Sequence, residues 1–221
     1  MAGIEIENVS YKYKRGERAV LDSVTCSFSE GGMSAVVGPS GSGKTTLLSI
    51  MAGLDAPTGG SVRIDGEDLS SLNLDRYRRE RVSMIFQAFH LFPLLTALEN
   101  VCFPMEMTRA PKAKAADRAN ELLEMVGISK ALHRRYPSNL SGGEQQRVAI
   151  ARALATGARV ILADEPTGNL DKANSDHIVG ILKSLAHDDG LCVIVVTHDL
   201  EVAEVSDAIY RLSDGVLVSG A

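Results

Sequence analysis

A glycine-rich segment that ends in a lysine and a threonine is the first part of the chain that could carry out chemistry. It reads Gly38-Pro-Ser-Gly-Ser-Gly43-Lys44-Thr45 and lies between a short apolar run and a segment that favours helix. Glycines let several backbone N–H groups point into one concavity, and the start of a helix adds positive potential. The lysine suits phosphate oxygens, and the threonine hydroxyl suits Mg²⁺. The pattern therefore predicts a phosphate-binding loop and favours a nucleotide as ligand.

Two adjacent acids form the second candidate group. Asp164 and Glu165 follow the apolar run Val160-Ile-Leu-Ala163. A buried strand would deliver them to its carboxyl end, where open α/β sheets bind ligands. An acid pair after a strand is often simply solvated. Beside a phosphate-binding loop, however, Asp164 is suited to hold Mg²⁺ through water, and Glu165 to act as general base for an attacking water molecule.

A third segment, Leu140-Ser141-Gly142-Gly143-Glu144-Gln145-Gln146-Arg147, carries a serine and two glycines at the start of a helical pattern. Alone, it would indicate an ordinary helix with Ser141 as its N-cap. The same residues can also form a second anion cradle, far along the chain from the first. Together with the other two motifs, in this order, the segment closely resembles the signature motif of ABC ATPases.

The resemblance covers essentially the whole chain. Gln87 matches the Q-loop glutamine, which senses the γ-phosphate site and links it to a helical lobe. Residues 168–171, Gly-Asn-Leu-Asp, match the D-loop, which crosses the dimer interface, and His198 matches the switch histidine. Tyr13 is the best match for the aromatic residue that stacks on adenine, and Tyr11 is the alternative.

The resemblance implies an ATP and Mg²⁺ site shared between the subunits of a head-to-tail homodimer. Each site would join Lys44 and Asp164 of one subunit to Ser141 of the other. The residues assigned to catalysis are Lys44, Gln87, Glu165 and His198, and those assigned to Mg²⁺ are Thr45, Gln87 and Asp164. The residues assigned to ATP are Tyr13, Gly38, Pro39, Ser40, Gly41, Ser42, Gly43, Lys44, Thr45, Thr46, Ser141, Gly142 and Gly143.

Two segments indicate a branch of the family. Residues 164–171, DEPTGNLD, and residues 86–93, FQAFHLFP, resemble the ATPases of macrolide, antimicrobial-peptide and lipoprotein exporters. This resemblance implies a subunit that powers export or extraction through a separate integral membrane permease, without binding the cargo itself. The alternative is a force-transmitting ATPase of the cell-division type, which acts on a membrane partner without transport. Met33 and His90 depart from the usual glutamate and asparagine, so the exact subgroup stays open.

Composition and charge exclude other classes of function. A net charge of −5 over 221 residues argues against broad nucleic-acid binding, which needs a basic face. The three cysteines, at positions 26, 102 and 192, are far apart and are expected to be free thiols in a reducing cytoplasm. The chain has no signal-peptide pattern and no apolar run long enough to span a bilayer. We therefore expect a cytoplasmic protein that its permease holds peripherally on the inner face of the cell membrane.

Apolar periodicity predicts the elements that position these residues. Strands are predicted at residues 4–6, 24–28, 35–37, 62–64, 82–86, 160–163 and 193–197, with a closing hairpin around Asp214-Gly215. Helices are predicted at residues 44–52, 113–126 and 173–187. The expected fold is α/β: a P-loop NTPase core of the ABC ATPase type with an N-terminal antiparallel β part and an inserted helical lobe. We expect one domain, 1–221, in which core residues 1–86 and 156–221 flank a lobe at 87–155.

Overall fold

Two β-sheets contain the strands of the computed structural model, which describes residues 2–13, 19–108 and 111–220. The strands are β1 (Ala2–Tyr11), β2 (Leu21–Ser29), β3 (Gly32–Val37), β4 (Gly59–Ile64), β5 (Glu67–Asp68), β6 (Val82–Phe86), β7 (Val160–Asp164), β8 (Cys192–Thr197), β9 (Ala208–Ser213) and β10 (Val216–Gly220). The smaller sheet has the order β2-β1-β4-β5 and is antiparallel. This sheet is the antiparallel β part that the sequence predicts.

The larger sheet has the order β10-β9-β3-β8-β7-β6 and is parallel except for the last strand of the chain, β10. Its central strand β8 is buried along its whole length, as is β7 up to Ala163. Strands that are apolar on both faces are typical of parallel sheets covered by helices on each side. The α/β core predicted from these apolar runs is therefore confirmed.

The register of the larger sheet brings the predicted motifs to one edge. Asp164 of β7 pairs with Phe86 of β6 on one side and with Val196 of β8 on the other. Val196 in turn pairs with Val36 of β3. Because these strands run in the same direction, the segments that follow them all leave the sheet at the same edge.

The helices cover the two faces of the larger sheet. They are α1 (Lys44–Met51), α2 (Leu74–Glu80), α3 (Ala97–Met107), α4 (Lys112–Met125), α5 (Gly142–Leu154), α6 (Lys172–His187) and α7 (Leu200–Glu204). Alternate residues of β7 and β8 face two different cores. Ile161 and Val193 pack with α4, α5 and α6, whereas Leu162 and Ile194 pack with α1 and the smaller sheet.

Three helices, α3, α4 and α5, lie between residues 87 and 155, with loops before and between them. Two short helices, α2 and α7, were not predicted. Helix α2 is held by Tyr77, whose buried hydroxyl donates to the Met51 carbonyl at 2.6 Å. Within the described ranges, no helix has both the length and the apolarity to span a membrane.

A single buried side chain fastens the loop after β6 to helix α3. The Asn100 side chain is fully buried and accepts a hydrogen bond from the Phe92 amide at 2.8 Å. Its amide group donates to the carbonyls of Phe92, Leu95 and Thr96 at 3.0–3.1 Å. One residue of the following helix thus satisfies several backbone groups of this loop.

We expect Asn100→Ala to lower the free energy of unfolding by about 2–3 kcal/mol, because it removes the side-chain partner of the Phe92 amide and of the Leu95 carbonyl. Urea unfolding followed by circular dichroism measures the change. The control is Asn139→Ala at an exposed asparagine, which should stay within about 0.5 kcal/mol of the parent. Equal stability of the two variants would contradict a structural role for the Asn100 side chain.

Candidate functional site

The predicted phosphate-binding loop lies between β3 and α1, at the edge where the parallel strands end. Helix α1 begins after Gly43, with no side chain capping its N-terminus and no acid in its first turn. By contrast, α5 and α6 each begin with a side-chain cap, from Ser141 and Asp171. Helix N-termini carry unpaired N–H groups and partial positive charge. The start of α1 therefore fits an anionic ligand.

Two glycines of this loop are needed because backbone atoms pack directly against them. A Cβ atom at Gly38 would overlap the Leu212 carbonyl. A Cβ at Gly43 would lie 2.8 Å from the Val20 carbonyl, and Gly43 also has a φ of +104°. At Gly38 only glycine has the space, and at Gly43 only glycine has both the space and the backbone freedom. Residues near both ends of the chain thus form the wall behind the loop.

The Lys44 side chain is buried and folds back over the loop. Its ammonium donates to the Gly38 carbonyl at 2.8 Å and to the Pro39 carbonyl at 3.1 Å. An ammonium group has three hydrogens, so one is left for a phosphate oxygen. The loop carbonyls therefore hold the charge of Lys44 at the place where the predicted phosphates would lie.

Thr45 and Asp164 meet at the carboxyl end of β7. The Thr45 hydroxyl lies close enough to the Asp164 carboxylate to influence its pKa. Burial raises the pKa of Asp164 above its ordinary value and the Glu165 carboxylate adds to this, while Lys44 and the Thr45 hydroxyl act in the opposite direction. A hydroxyl and a carboxylate are hard oxygen donors of the kind that Mg²⁺ prefers beside nucleotide phosphates. The donor set thus fits Mg²⁺, and the described residues contain no His/Cys/Asp/Glu cluster suited to another metal.

Glu165 lies directly after β7 in the left-handed region, with a φ of 48°. Its carboxylate accepts hydrogen bonds from the Thr197 hydroxyl at 3.0 Å and from the His198 backbone amide at 3.4 Å. It also contacts the His198 Nδ1 at 2.8 Å. The end of β8 therefore fixes the carboxylate of the predicted base. Thr197, which is completely buried, is a supporting residue that the sequence analysis missed, since nothing in the pattern marks it out.

His198 is brought to the site as predicted, but its imidazole contacts the predicted base. The His198 side chain is 68% exposed, whereas that of Glu165 is only 15% exposed. The histidine thus covers the carboxylate from the solvent side, with much of its ring accessible to a ligand or to another chain.

Gln87 and the predicted D-loop contact each other. The Asn169 side chain donates to the Gln87 carbonyl at 2.9 Å, and the Gln87 amide donates to Asn169 Oδ1 at 3.5 Å. Leu170 packs near Gly142 at the start of α5. Residues 168–171 therefore lie between the Q-loop and the signature segment of the same chain. The contact of Asn169 with Gln87 was not predicted, because 82 positions separate the two residues.

The signature segment begins helix α5 with a reciprocal cap. The Glu144 amide donates to the Ser141 hydroxyl oxygen at 3.3 Å, and the Ser141 amide donates to the Glu144 carboxylate at 2.7 Å. A hydroxyl that accepts a hydrogen bond keeps its own hydrogen for another partner. Gly143 packs tightly against the Asn174 side chain of α6, which explains why a larger residue would not fit there.

The structure distinguishes the two candidate aromatic residues. The Tyr13 side chain is 51% exposed, and its hydroxyl lies 3.2 Å from Thr46 Oγ1 in α1. Tyr11 is half-buried and its hydroxyl donates to Asp55 at 3.4 Å. Burial and the Asp55 carboxylate raise the pKa of Tyr11 above its ordinary value. The exposed ring beside helix α1 is that of Tyr13, the first choice from the sequence.

A family model described as ABC transporter matches residues 21–168 of the chain. The chain belongs to the ABC transporter family. The ABC transporter ATP-binding protein YclH of Bacillus subtilis is 43% identical over 215 residues, which cover 97% of this chain and 95% of the relative. The ABC transporter ATP-binding protein MJ0796 of Methanocaldococcus jannaschii is 44% identical over 220 residues, which cover 96% and 94% of the two chains.

Solved structures of ABC cassettes have the same fold. The dimeric structure of MJ0796, a bacterial ABC transporter cassette, matches with a TM-score of 0.88 and 43% identity, covering 97% of this chain and 96% of that chain. A dimeric post-hydrolysis state of MJ0796, bound to ADP and Pi, matches with a TM-score of 0.89 and 42% identity, covering 98% and 97%. This ABC subunit is therefore an ATP-binding and ATP-hydrolysing protein, whereas the roles of its individual residues stay predictions.

We expect Glu165→Gln to leave ATP binding intact and to slow ATP hydrolysis by about 10²–10⁴-fold, since a positioned base contributes on this scale. Steady-state phosphate release measures hydrolysis, and size-exclusion chromatography should reveal accumulation of an ATP-bound dimer. Glu121→Gln, at an exposed glutamate of α4, is the matched control and should hydrolyse ATP like the parent. Near-parental turnover by Glu165→Gln would remove Glu165 as the base.

We expect Lys44→Ala to weaken ATP binding much more than Glu165→Gln does. Lys44 lies over the loop and should contact the phosphates of the ground state, whereas a base acts mainly in the transition state. Equilibrium titration with a fluorescent ATP analogue compares the variants, with Lys114→Ala at an exposed lysine as control. If Lys44→Ala binds as tightly as the parent, residues 38–45 do not form the phosphate site.

Proposed function

We propose that this chain is the ATPase subunit of an exporter-type transporter. Two copies of the chain would close as a head-to-tail homodimer around two ATP molecules. Closure and reopening would drive a separate integral membrane permease. The observation that carries the proposal is that one chain has two anion cradles with different neighbours. The loop before α1 packs on Val20 and Leu212, whereas the start of α5 packs near Phe89, Leu170 and Asn174.

Because the two cradles lie apart on one chain, they fit an ATP site to which each of two chains contributes one cradle. In a head-to-tail dimer, the phosphates held by α1 of one subunit would meet Ser141, Gly142 and Gly143 of the other. Ser141 is exposed and keeps a hydroxyl hydrogen for such a contact. The dimeric cassettes of MJ0796, which have the same fold, support this arrangement.

Within each proposed site, each side chain has a separate role. Lys44 holds the phosphates, Tyr13 stacks on the adenine, and Thr45 with Asp164 would hold Mg²⁺, assisted by Gln87. The bound cation would neutralise charge on the phosphate oxygens. Glu165 takes the proton of the attacking water, and this requires a carboxylate whose position is fixed. The Thr197 and His198 contacts at the end of β8 supply that fixation.

The loop after β6 is suited to pass movement from the ATP site to the permease. Asn169 holds the Gln87 carbonyl at its beginning. Arg152 of α5 donates to the carbonyls of His90 and Phe89 at 2.6 and 2.9 Å. These bonds connect the middle of the loop to α5. Leu94 and Phe92 on the same loop are 87% and 40% exposed, so the loop offers apolar surface for a contact with another protein.

The proposed setting is the inner face of the cell membrane, with the permease as anchor. The segments at 86–93 and 164–171 support the branch of macrolide, antimicrobial-peptide and lipoprotein exporters. In this arrangement the permease recognises the cargo, and the ATPase contacts only ATP, its twin subunit and the permease. Residues 87–155 would move as a lobe relative to the core residues 1–86 and 156–221.

Complementation between two damaged chains tests the shared site. One chain carries Lys44→Ala, the other carries Ser141→Arg, and both carry Glu165→Gln to prevent turnover. Alone, each chain forms only damaged sites. In the mixture, a heterodimer contains one site with an intact phosphate loop and an intact signature, so we expect it to retain ATP after rapid gel filtration.

ATP retention by the mixture is compared with that of each damaged chain alone. The control for Ser141→Arg is a chain with Ser138→Arg, at an exposed serine just before the signature. The permease is included if the free chains associate too weakly. Retention above both single-chain samples supports the in-trans site. A mixture that contains heterodimers by tagged pull-down, yet retains no additional ATP, contradicts it.

A further inference from the structure

We propose that Tyr11 is a positioning residue for the nucleotide base: it supports the ring of Tyr13 and thereby increases the affinity for ATP over that for a base-free triphosphate. The inference rests on the proposed role of Tyr13 as the base-stacking aromatic. It adds a second tyrosine that does not touch the nucleotide.

The two tyrosine rings form an edge-to-face pair. Their centroids are 5.0 Å apart and their planes meet at 89°. This geometry is favourable because the positive edge of one aromatic ring meets the negative face of the other. The hydroxyl of Tyr13 lies 3.2 Å from the Thr46 hydroxyl. Tyr13 is thus held at its ring by Tyr11 and at its tip by the phosphate-binding helix.

Tyr11 is itself well anchored. It is the last residue of β1, it pairs with Leu21 of β2, and its carbonyl accepts from the Val20 amide at 2.8 Å. Its hydroxyl donates to the Asp55 carboxylate at 3.4 Å. The Asp55 amide in turn donates to the Ser49 carbonyl of α1 at 3.3 Å. The support therefore connects β1 to the segment after α1.

Such a support matters because Tyr13 lies beyond the end of β1 and is half-exposed. A side chain with free rotamers loses entropy when a ligand fixes it, and a side chain already held in place loses less. The ring of Tyr11 restricts Tyr13 before the nucleotide arrives. The benefit applies to a ligand that carries a base and not to its phosphates alone.

Isothermal titration calorimetry with ATP and with tripolyphosphate tests the proposal, in the Glu165→Gln background to prevent turnover. We expect Tyr11→Ala to weaken ATP binding about 2- to 12-fold, the worth of one aromatic pair, and to leave tripolyphosphate binding unchanged. Tyr11→Phe is the matched control. It keeps the ring and its backbone anchor on β2 and loses only the long, weaker hydrogen bond to Asp55, so it should bind both ligands like the parent.

Tyr13→Ala tests the proposed base contact separately. It should weaken the binding of ATP and leave the binding of tripolyphosphate unchanged. Tyr11→Ala added to Tyr13→Ala should cause no further loss, since the supported ring is already gone. An additive loss, or a loss of ATP and tripolyphosphate together, overturns the positioning role, as does parental ATP binding by Tyr11→Ala. If Tyr13→Ala binds ATP like the parent, the proposed function is wrong in its base contact, whatever Tyr11→Ala does.

Discussion

One row of backbone pairs across four parallel strands sets the geometry of the site. Phe86, Asp164, Val196 and Val36 lie side by side in this row. Gln87 directly follows Phe86, and Glu165 directly follows Asp164. His198 lies two positions after Val196, and Gly38 lies two positions after Val36. Shifting any strand by one residue would turn its side chains to the other face and move its motif away from the others. The two apolar cores on either side of the sheet hold this register.

The N-termini of helices α1 and α5, the two proposed anion cradles, differ in a way that affects their chemistry. Helix α1 begins with an uncapped N-terminus and has a buried ammonium beside it. Helix α5 begins with a reciprocal cap in which the Glu144 carboxylate already occupies the Ser141 amide. An anion can approach α1 without displacing a protein acceptor, whereas at α5 it meets a carboxylate first. We therefore expect the phosphates to lie at α1, as in the proposed dimer.

Local patterns in the sequence sufficed for the elements that carry the motifs. The strands ending at Phe86 and Thr197 and the helix ending at His187 lie within one residue of their predicted bounds. The short helices α2 and α7 have too few residues for a periodic pattern. Contacts between distant side chains were also beyond prediction: the Thr197 hydroxyl on Glu165 depends on two strand ends and one side-chain rotamer, and no local spacing encodes that.

The wall behind the phosphate-binding loop has a consequence for the order of folding during synthesis. The loop follows β3, whose sheet neighbours β8 and β9 are made more than 150 residues later. The Leu212 carbonyl that packs on Gly38 belongs to β9 itself. Contacts of such long sequence separation form slowly and late, because a long loop must close first. A growing chain on the ribosome therefore carries the complete glycine-rich motif long before the residues that pack behind it exist, and we expect the loop to become ordered only after β9 has emerged.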